Sequence, residues 1–119
     1  MKHFPDFVRN PANEVADAPE GMKGYLFEGA DGTQVVFWEN VAGGESPMHS
    51  HDFWEYAIVL EGHYEGTVDG KPVTLGPGDE CAIPPGAKHG GHHSAGYRAI
   101  DVWAGPRVQR RQDAAGNAK

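Results

Sequence analysis

The sequence predicts an all-β domain, an antiparallel barrel or jelly roll, from three observations. The chain has 119 residues, enough for one hydrophobic core. Its 17 Gly and 9 Pro suit short strands joined by tight turns better than long helices. Eight or nine short runs of apolar, aromatic and β-branched residues follow one another at close spacing, and none has the periodicity of a helix. We therefore expect a single barrel domain.

The chain divides into three predicted segments. Residues 1–22 are polar and interrupted by Pro5, Pro11 and Pro19, and we expect an extended arm there, with at most one short strand. Residues 23–106 carry the strand and turn pattern of the barrel. Residues 107–119 lose apolar periodicity and are predicted to form a flexible tail.

The barrel strands are predicted from alternation and β-propensity between turn signals. The Asp69-Gly70 dipeptide suits a type I′ turn and predicts a hairpin between two of them. The predicted strands are 23–28, 33–41, 53–62, 63–68, 71–75, 80–84, 89–93 and 97–103.

Charge and cysteine content exclude several classes of protein. The net charge of -7 argues against a nucleic-acid binder. A single cysteine, Cys81, forms no intramolecular disulfide. The charged N-terminal residues lack the apolar stretch of a signal peptide, and no run approaches the roughly 20 apolar residues of a membrane helix. We expect a cytoplasmic protein without membrane or nucleic-acid partners.

Four residues from two segments are candidates for a metal site. His49 and His51 are one residue apart, and alternate residues of a strand face the same side. Glu55 follows a bend of three residues that can return its carboxylate to the imidazoles. His89 follows the rigid Pro84-Pro85-Gly86 corner, which is predicted to aim it inward from another strand. Imidazoles and a carboxylate are donors for a transition metal.

The spacing of these residues resembles the two motifs of the cupin family. The first motif matches at every position, and the second departs only at its end, where the family has Asn and this chain has His93. Fifteen residues, 63–77, separate the motifs. The matching positions are Gly43, His49, His51, Glu55 and Gly62 in the first motif and Gly78, Pro84, Gly86 and His89 in the second.

The resemblance implies a small single-domain cupin of the RmlC-like type, a double-stranded β-helix barrel with a metal ion inside. The family's ligand positions fall on His49, His51, Glu55 and His89. Such a shell leaves one or two coordination positions open for water or substrate. One divalent transition metal ion is expected, and Fe, Mn, Ni, Zn and Cu all suit the donors. His93 is interpreted as a proton shuttle or polar strand-end residue rather than a fifth ligand.

The last predicted strand supplies further candidates. Its end, "DVWAGPR", resembles KdgF-type cupins, which act on unsaturated uronates, and the resemblance implies roles for Asp101, Trp103 and Arg107 beside the metal. Asp101 would transfer a proton, Arg107 would bind a carboxylate, and Trp103 would stack on a ring or wall the pocket. The alternative for Asp101 is a structural pairing with an arginine. Either face of this strand could be the interior one.

Three functions remain open on this basis. The first is a metal-dependent enzyme acting on a small oxygenated molecule, a sugar acid or keto compound, by isomerase or lyase chemistry. The second is an Fe(II)-dependent dioxygenase. The third is a non-catalytic small-molecule-binding or sensor cupin. The expected partners are a small-molecule substrate and a second copy of the chain in a homodimer, to which the arm would add a strand.

Overall fold

The computed structural model describes residues 2–111, and these form two antiparallel sheets. One short 3-10 turn, Pro11–Asn13, precedes the strands. The strands are β1 (Met22–Glu28), β2 (Gln34–Asn40), β3 (Gly44–His49), β4 (Glu55–Glu61), β5 (Tyr64–Val68), β6 (Lys71–Leu75), β7 (Glu80–Ile83), β8 (His89–His93) and β9 (Tyr97–Trp103).

The two sheets enclose the barrel interior. The five-stranded sheet has the order β1-β2-β9-β4-β7, and the four-stranded sheet has the order β3-β8-β5-β6. Strands far apart in the chain pair as neighbours, such as β2 with β9 and β3 with β8. This arrangement confirms the prediction of an all-β jelly-roll barrel. No helix within residues 2–111 is long and apolar enough to cross a membrane.

The hairpin predicted at Asp69-Gly70 is present. Strands β5 and β6 pair up to Val68 and Lys71, which leaves a two-residue loop. Asp69 has φ of 49° and Gly70 has φ of 79°. Positive φ at both positions is the type I′ geometry, which matches the twist of the paired strands.

The register settles which side chains face the interior. Glu55 lies opposite Trp103, and Ala57 lies opposite Asp101. Residues opposite each other in a sheet share a face, so β9 turns the same side inward as β4. Tyr97, Asp101 and Trp103 of β9 accordingly line the cavity. The alternation of residues along this strand did not by itself show which of its two faces is the interior one.

Residues 2–21 fold back on their own barrel. Phe4 and Val8 pack on Tyr25 at the outer face of the five-stranded sheet. Val15 packs inside with Trp38 and other core residues, and isolated bridges join Glu14 to Tyr25 and Val15 to Arg110. The expected extended arm is therefore docked within one chain over this region.

Residues 107–111 contact the barrel, in the segment for which a flexible tail was predicted. The buried Gln34 side chain accepts hydrogen bonds from the backbone N–H groups of Arg107 and Val108, at 2.8 and 3.0 Å. Arg110 donates to Glu28 and to the Leu26 carbonyl. These partners lie more than 70 positions away in the chain, which is why local composition misses them. The rest of the predicted tail, 112–119, lies outside the described residues.

Candidate metal centre

Three imidazoles meet at one end of the cavity. His49 ends β3, His89 begins β8, and the two are directly opposite in register, with ring centroids 4.2 Å apart. His51 comes from the loop after β3. The strand alternation predicted for His49 and His51 is therefore wrong, because β3 ends before His51, but the loop brings the ring to the same place. Ligand atoms of the three residues all lie within 4.8 Å of one another.

Backbone carbonyls hold all three rings in the same tautomer. The Nδ1 atoms of His49, His51 and His89 lie 2.7, 3.1 and 3.0 Å from the carbonyl oxygens of Pro47, Phe53 and Ala87. A carbonyl oxygen only accepts, so each neutral ring carries its proton on Nδ1. Each Nε2 then presents a lone pair, which is the form that binds a metal.

Glu55 completes this cluster from the start of β4. Its Oε1 lies 3.0 Å from His51 Nε2 and 3.2 Å from His89 Nε2. His89 Nε2 has no hydrogen bond of acceptable geometry within residues 2–111. Lone pairs and a carboxylate that converge in this way repel one another unless a cation lies among them. The donor set therefore fits a divalent transition metal ion.

The pKa values within the cluster reflect this crowding. Burial would raise the pKa of Glu55, but the neighbouring His89 imidazole and Trp103 indole outweigh it and lower the pKa. The Glu55 carboxylate raises the pKa of His89, whereas burial lowers the pKa of His49. A carboxylate whose pKa is lowered stays ionised among the imidazoles, which suits cation binding.

Asp101 and Trp103 line the same cavity as the imidazoles. Trp103 is 4% exposed and lies opposite Glu55. Asp101 is two residues further inside. Burial, followed by the charge of Glu55, raises the pKa of Asp101 well above its ordinary value, against the opposing effects of Trp38 and Arg107. A carboxyl group whose pKa is raised holds a proton that it can donate to a ligand in the cavity.

Arg107 lies at the mouth. It lines the cavity, and with His49 and His51 it also lines a shallow depression outside it. Its backbone is held by Gln34, while its guanidinium makes no hydrogen bond or ion pair with any other residue in 2–111. An available guanidinium of this kind can bind a carboxylate through two hydrogen bonds.

His93 faces the interior but is separate from the three-histidine cluster. It lies four residues beyond His89 on β8, about 13 Å along the strand. Its ring stacks on Tyr97 with centroids 5.1 Å apart, and burial lowers its pKa. The fold thus brings six of the eight candidate residues to the metal end of the cavity or its mouth, Asp101 to a position between the two ends, and His93 to the other end.

The cavity has a volume of about 270 Å³, suited to a small molecule. Sequence reasoning missed part of its wall, which residues 15–19 of the docked N-terminal segment form with Met22 and Val108. Val15, an apolar residue within a polar stretch, was the one signal for this contact. It also missed Tyr64 and the carbonyls that hold the imidazoles, because backbone groups carry no sequence signal.

Comparison with known proteins identifies the family. The family model of the cupin domain matches residues 36–102, more than half of the chain, so this protein belongs to the cupin family. No match is found among curated proteins.

Solved structures with the same fold support this assignment. An RmlC-like cupin from Shewanella frigidimarina NCIMB 400 is 26% identical, with a TM-score of 0.70 over 95% of this chain and 96% of that one. KdgF from Halomonas sp. is 22% identical, with a TM-score of 0.67 over 83% and 88%. A single-residue variant of oxalate decarboxylase from Bacillus subtilis is 18% identical, with a TM-score of 0.63 over 72% of this chain and 26% of that one.

Proposed function

We propose that this protein is a metal-dependent enzyme that acts on a sugar acid or keto compound by isomerase or lyase chemistry without redox change. The observation that best supports it is the acid Asp101, with its raised pKa, in the same cavity as the cation-binding cluster. The proposed ligands are His49, His51, Glu55 and His89. A metal bound by them would supply Lewis-acid activation of a substrate carbonyl or hydroxyl oxygen.

The remaining roles follow from position. Arg107 binds the substrate carboxylate at the mouth, because its guanidinium is available there. Trp103 walls the cavity beside the reacting centre and excludes water. Asp101 transfers the proton, since its raised pKa keeps it protonated when ordinary carboxylates are ionised. His93, at the inner end, contacts the substrate rather than the ion.

The experiment is a substrate screen with protein loaded in turn with Mn(II), Ni(II), Zn(II) and Fe(II). The panel contains small sugar acids and keto acids. Asp101→Asn is expected to lose turnover by about two orders of magnitude or more while it keeps its metal. Glu65→Gln, at an exposed carboxylate on β5, is the matched control and should retain full activity. Metal-loaded protein that turns over no panel member, or an active Asp101→Asn variant, would contradict the proposal.

An Fe(II)-dependent dioxygenase is the second candidate, because three imidazoles and a carboxylate also suit Fe(II). Oxygen consumption that requires both Fe(II) and substrate would establish it. Activity that persists without oxygen in Mn(II) or Zn(II) protein would exclude it. Mn(II) centres occur in Bacillus subtilis oxalate decarboxylase, a protein of the same fold.

A non-catalytic binding or sensor cupin is the third candidate, supported by the enclosed cavity itself. In a binder, Asp101→Asn alters ligand affinity and there is no turnover to lose. Calorimetry of the same panel, run beside the activity assay, separates this function from the first two.

A homodimer is also proposed. Phe7 on the N-terminal segment and Tyr56 on the outer face of β4 are large apolar side chains, 76% and 36% exposed. Because residues 2–21 dock on their own barrel, the segment is proposed to contribute a surface rather than an added strand. Phe7→Ser, which leaves the buried Val15 in place, should shift the mass in solution from dimer to monomer, and an unchanged mass would contradict the role of this segment. The cytoplasmic location stays a prediction.

A further inference from the structure

The inner end of the cavity contains a polar atom that the protein leaves without a partner. His93 is 2% exposed, yet its Nε2 has no hydrogen bond within residues 2–111. An unsatisfied buried donor or acceptor costs about 1–3 kcal/mol. His93 is one of the residues that line the cavity.

Asn40 determines which form of His93 faces the cavity. The Asn40 Oδ1 accepts a hydrogen bond from the Gly43 N–H at 2.8 Å, which orients the amide. Its Nδ2 then faces His93 Nδ1 at 3.5 Å. An amide nitrogen only donates, so His93 Nδ1 accepts and the ring proton lies on Nε2. His93 therefore presents an N–H donor to the cavity, whereas the three clustered histidines present lone pairs.

Tyr64 is the neighbour of His93 across the pair of strands β5 and β8. Its phenol lies over two glycines, since a Cβ at Gly66 would be 2.8 Å from the hydroxyl and one at Gly91 would be 2.8 Å from Cζ. Burial raises the pKa of Tyr64 to about 12 and lowers the pKa of His93, so both side chains are uncharged near neutral pH. The available cation, Arg107, is at the mouth.

We propose that His93 and Tyr64 form a subsite for an uncharged oxygen, a hydroxyl or carbonyl, at the end of the ligand remote from its carboxylate. The His93 Nε2–H donates to that oxygen, and the Tyr64 hydroxyl completes its hydrogen bonding. The ligand thus lies with its acid group at Arg107 and its uncharged end inward. The proposed orientation rests on the proposed function, because it takes the Arg107 end as the carboxylate site.

Two matched acids test the subsite by calorimetry on the Zn(II)-loaded protein. The probes are 6-hydroxyhexanoate and hexanoate, which share a carboxylate and chain length and differ in the remote hydroxyl. The wild type should bind the hydroxy acid about tenfold more tightly, because hexanoate leaves the buried donor unsatisfied. Adipate, with a second charge at the remote end, should bind more weakly than either.

Variants at His93 test whether this residue causes the preference for 6-hydroxyhexanoate over hexanoate. His93→Leu should reduce the tenfold preference to about one, while His93→Gln, whose amide N–H can take the place of Nε2–H, should retain most of it. Both should bind Zn(II) as the wild type does, which also verifies folding. An unchanged preference in His93→Leu, or no preference in the wild type, would overturn the subsite. Failure of both acids to bind the wild type would instead count against the carboxylate site at Arg107.

The tautomer is tested without any ligand. Nitrogen-15 NMR of the imidazoles should place the His93 proton on Nε2. Asn40→Asp replaces the donor facing Nδ1 by an acceptor, so it should move the proton to Nδ1 and abolish the preference for 6-hydroxyhexanoate. A wild-type proton on Nδ1, shared with the carbonyl oxygen of His93 itself, would overturn the inference even where no acid binds.

Discussion

Strand β8 carries three histidines within five residues, and each meets different surroundings. His89 turns its Nε2 towards Glu55, because its Nδ1–H donates a hydrogen bond to the Ala87 carbonyl oxygen. His93 directs an N–H into the cavity because the Asn40 amide faces its Nδ1. His92 points out to solvent, where its ring lies 3.1 Å from the Glu45 carboxylate.

The difference shows that the partner of Nδ1, and not the residue type, decides what a histidine offers. His89 and His93 share a strand and a face, and both are nearly buried. One is suited to hold a cation and the other to hold a ligand oxygen. The four predictions below test this contrast, from the largest expected effect to the smallest.

Loss of His89 should affect the metal far more than any change at His93. His89→Ala should reduce Zn(II) affinity by about 100-fold or more, since loss of a group that only orients a ligand already costs about 10–100-fold. His93→Gln should leave the affinity within about twofold. Competition titrations with a chelating dye measure both. Equal losses in the two variants would mean that the two ends of β8 act as one site.

Substitution of Gln34 should weaken ligand binding at the mouth of the cavity and leave metal binding by the three-histidine cluster unchanged. Its buried amide makes hydrogen bonds to Arg107, Val108 and Glu28. Gln34→Leu should destabilise the fold by about 2 kcal/mol because the freed backbone groups lose their partners. It should also weaken hexanoate binding through the displaced Arg107. Chemical unfolding measures the change in stability, and calorimetry measures hexanoate affinity. Zn(II) affinity should be unchanged. A lower Zn(II) affinity in Gln34→Leu would show that the mouth and the metal site are not independent.

Asp101, between the two ends, should make the metal-free protein less stable as pH rises. Its folded pKa is raised above the unfolded value of about 3.8, so the folded state holds the proton more tightly. The stabilisation from this proton is fully present below the unfolded pKa. As pH rises from the unfolded to the folded pKa, the free energy of unfolding falls by about 1.4 kcal/mol per pH unit, and above the folded pKa the stabilisation is lost. Burial and then the charge of Glu55 raise this pKa, whereas the hydrogen bond from Trp38 and the charge of Arg107 oppose the shift.

Asp101→Asn should remove this pH dependence and stabilise the protein above the folded pKa of Asp101. Urea unfolding of both proteins between about pH 4 and 8, compared with Glu65→Gln as an exposed control, measures the effect. A wild type and an Asp101→Asn variant with parallel stability profiles would show that Asp101 has an ordinary pKa.

His92 should contribute least to metal binding, ligand binding and stability. The His92 and Glu45 side chains are 52% and 73% exposed, and exposed ion pairs contribute little. His92→Gln should change neither Zn(II) affinity nor hexanoate affinity and should leave the melting temperature nearly unchanged. A lower Zn(II) affinity in this variant would mean that residues on the outer face of β8 influence metal binding by the cluster.

Much of the barrel could be predicted because its signals are local. The Asp69-Gly70 turn, the limits of β5 and β6, and the inward direction of Glu55 follow from turn chemistry and from alternation over a few residues. The three clustered histidines were likewise found from motif spacing, although His51 arrives from a loop rather than a strand.

The sequence by itself determined the class of fold and the donors of the candidate metal site, because strand periodicity and motif spacing act over short distances along the chain. Only the tertiary structure decided which face of β9 lines the cavity and how residues 107–111 dock. It also decided that Asn40, 53 positions before His93, faces its ring. These depend on the register between distant strands and on backbone groups, and neither is encoded in the identity of a single residue.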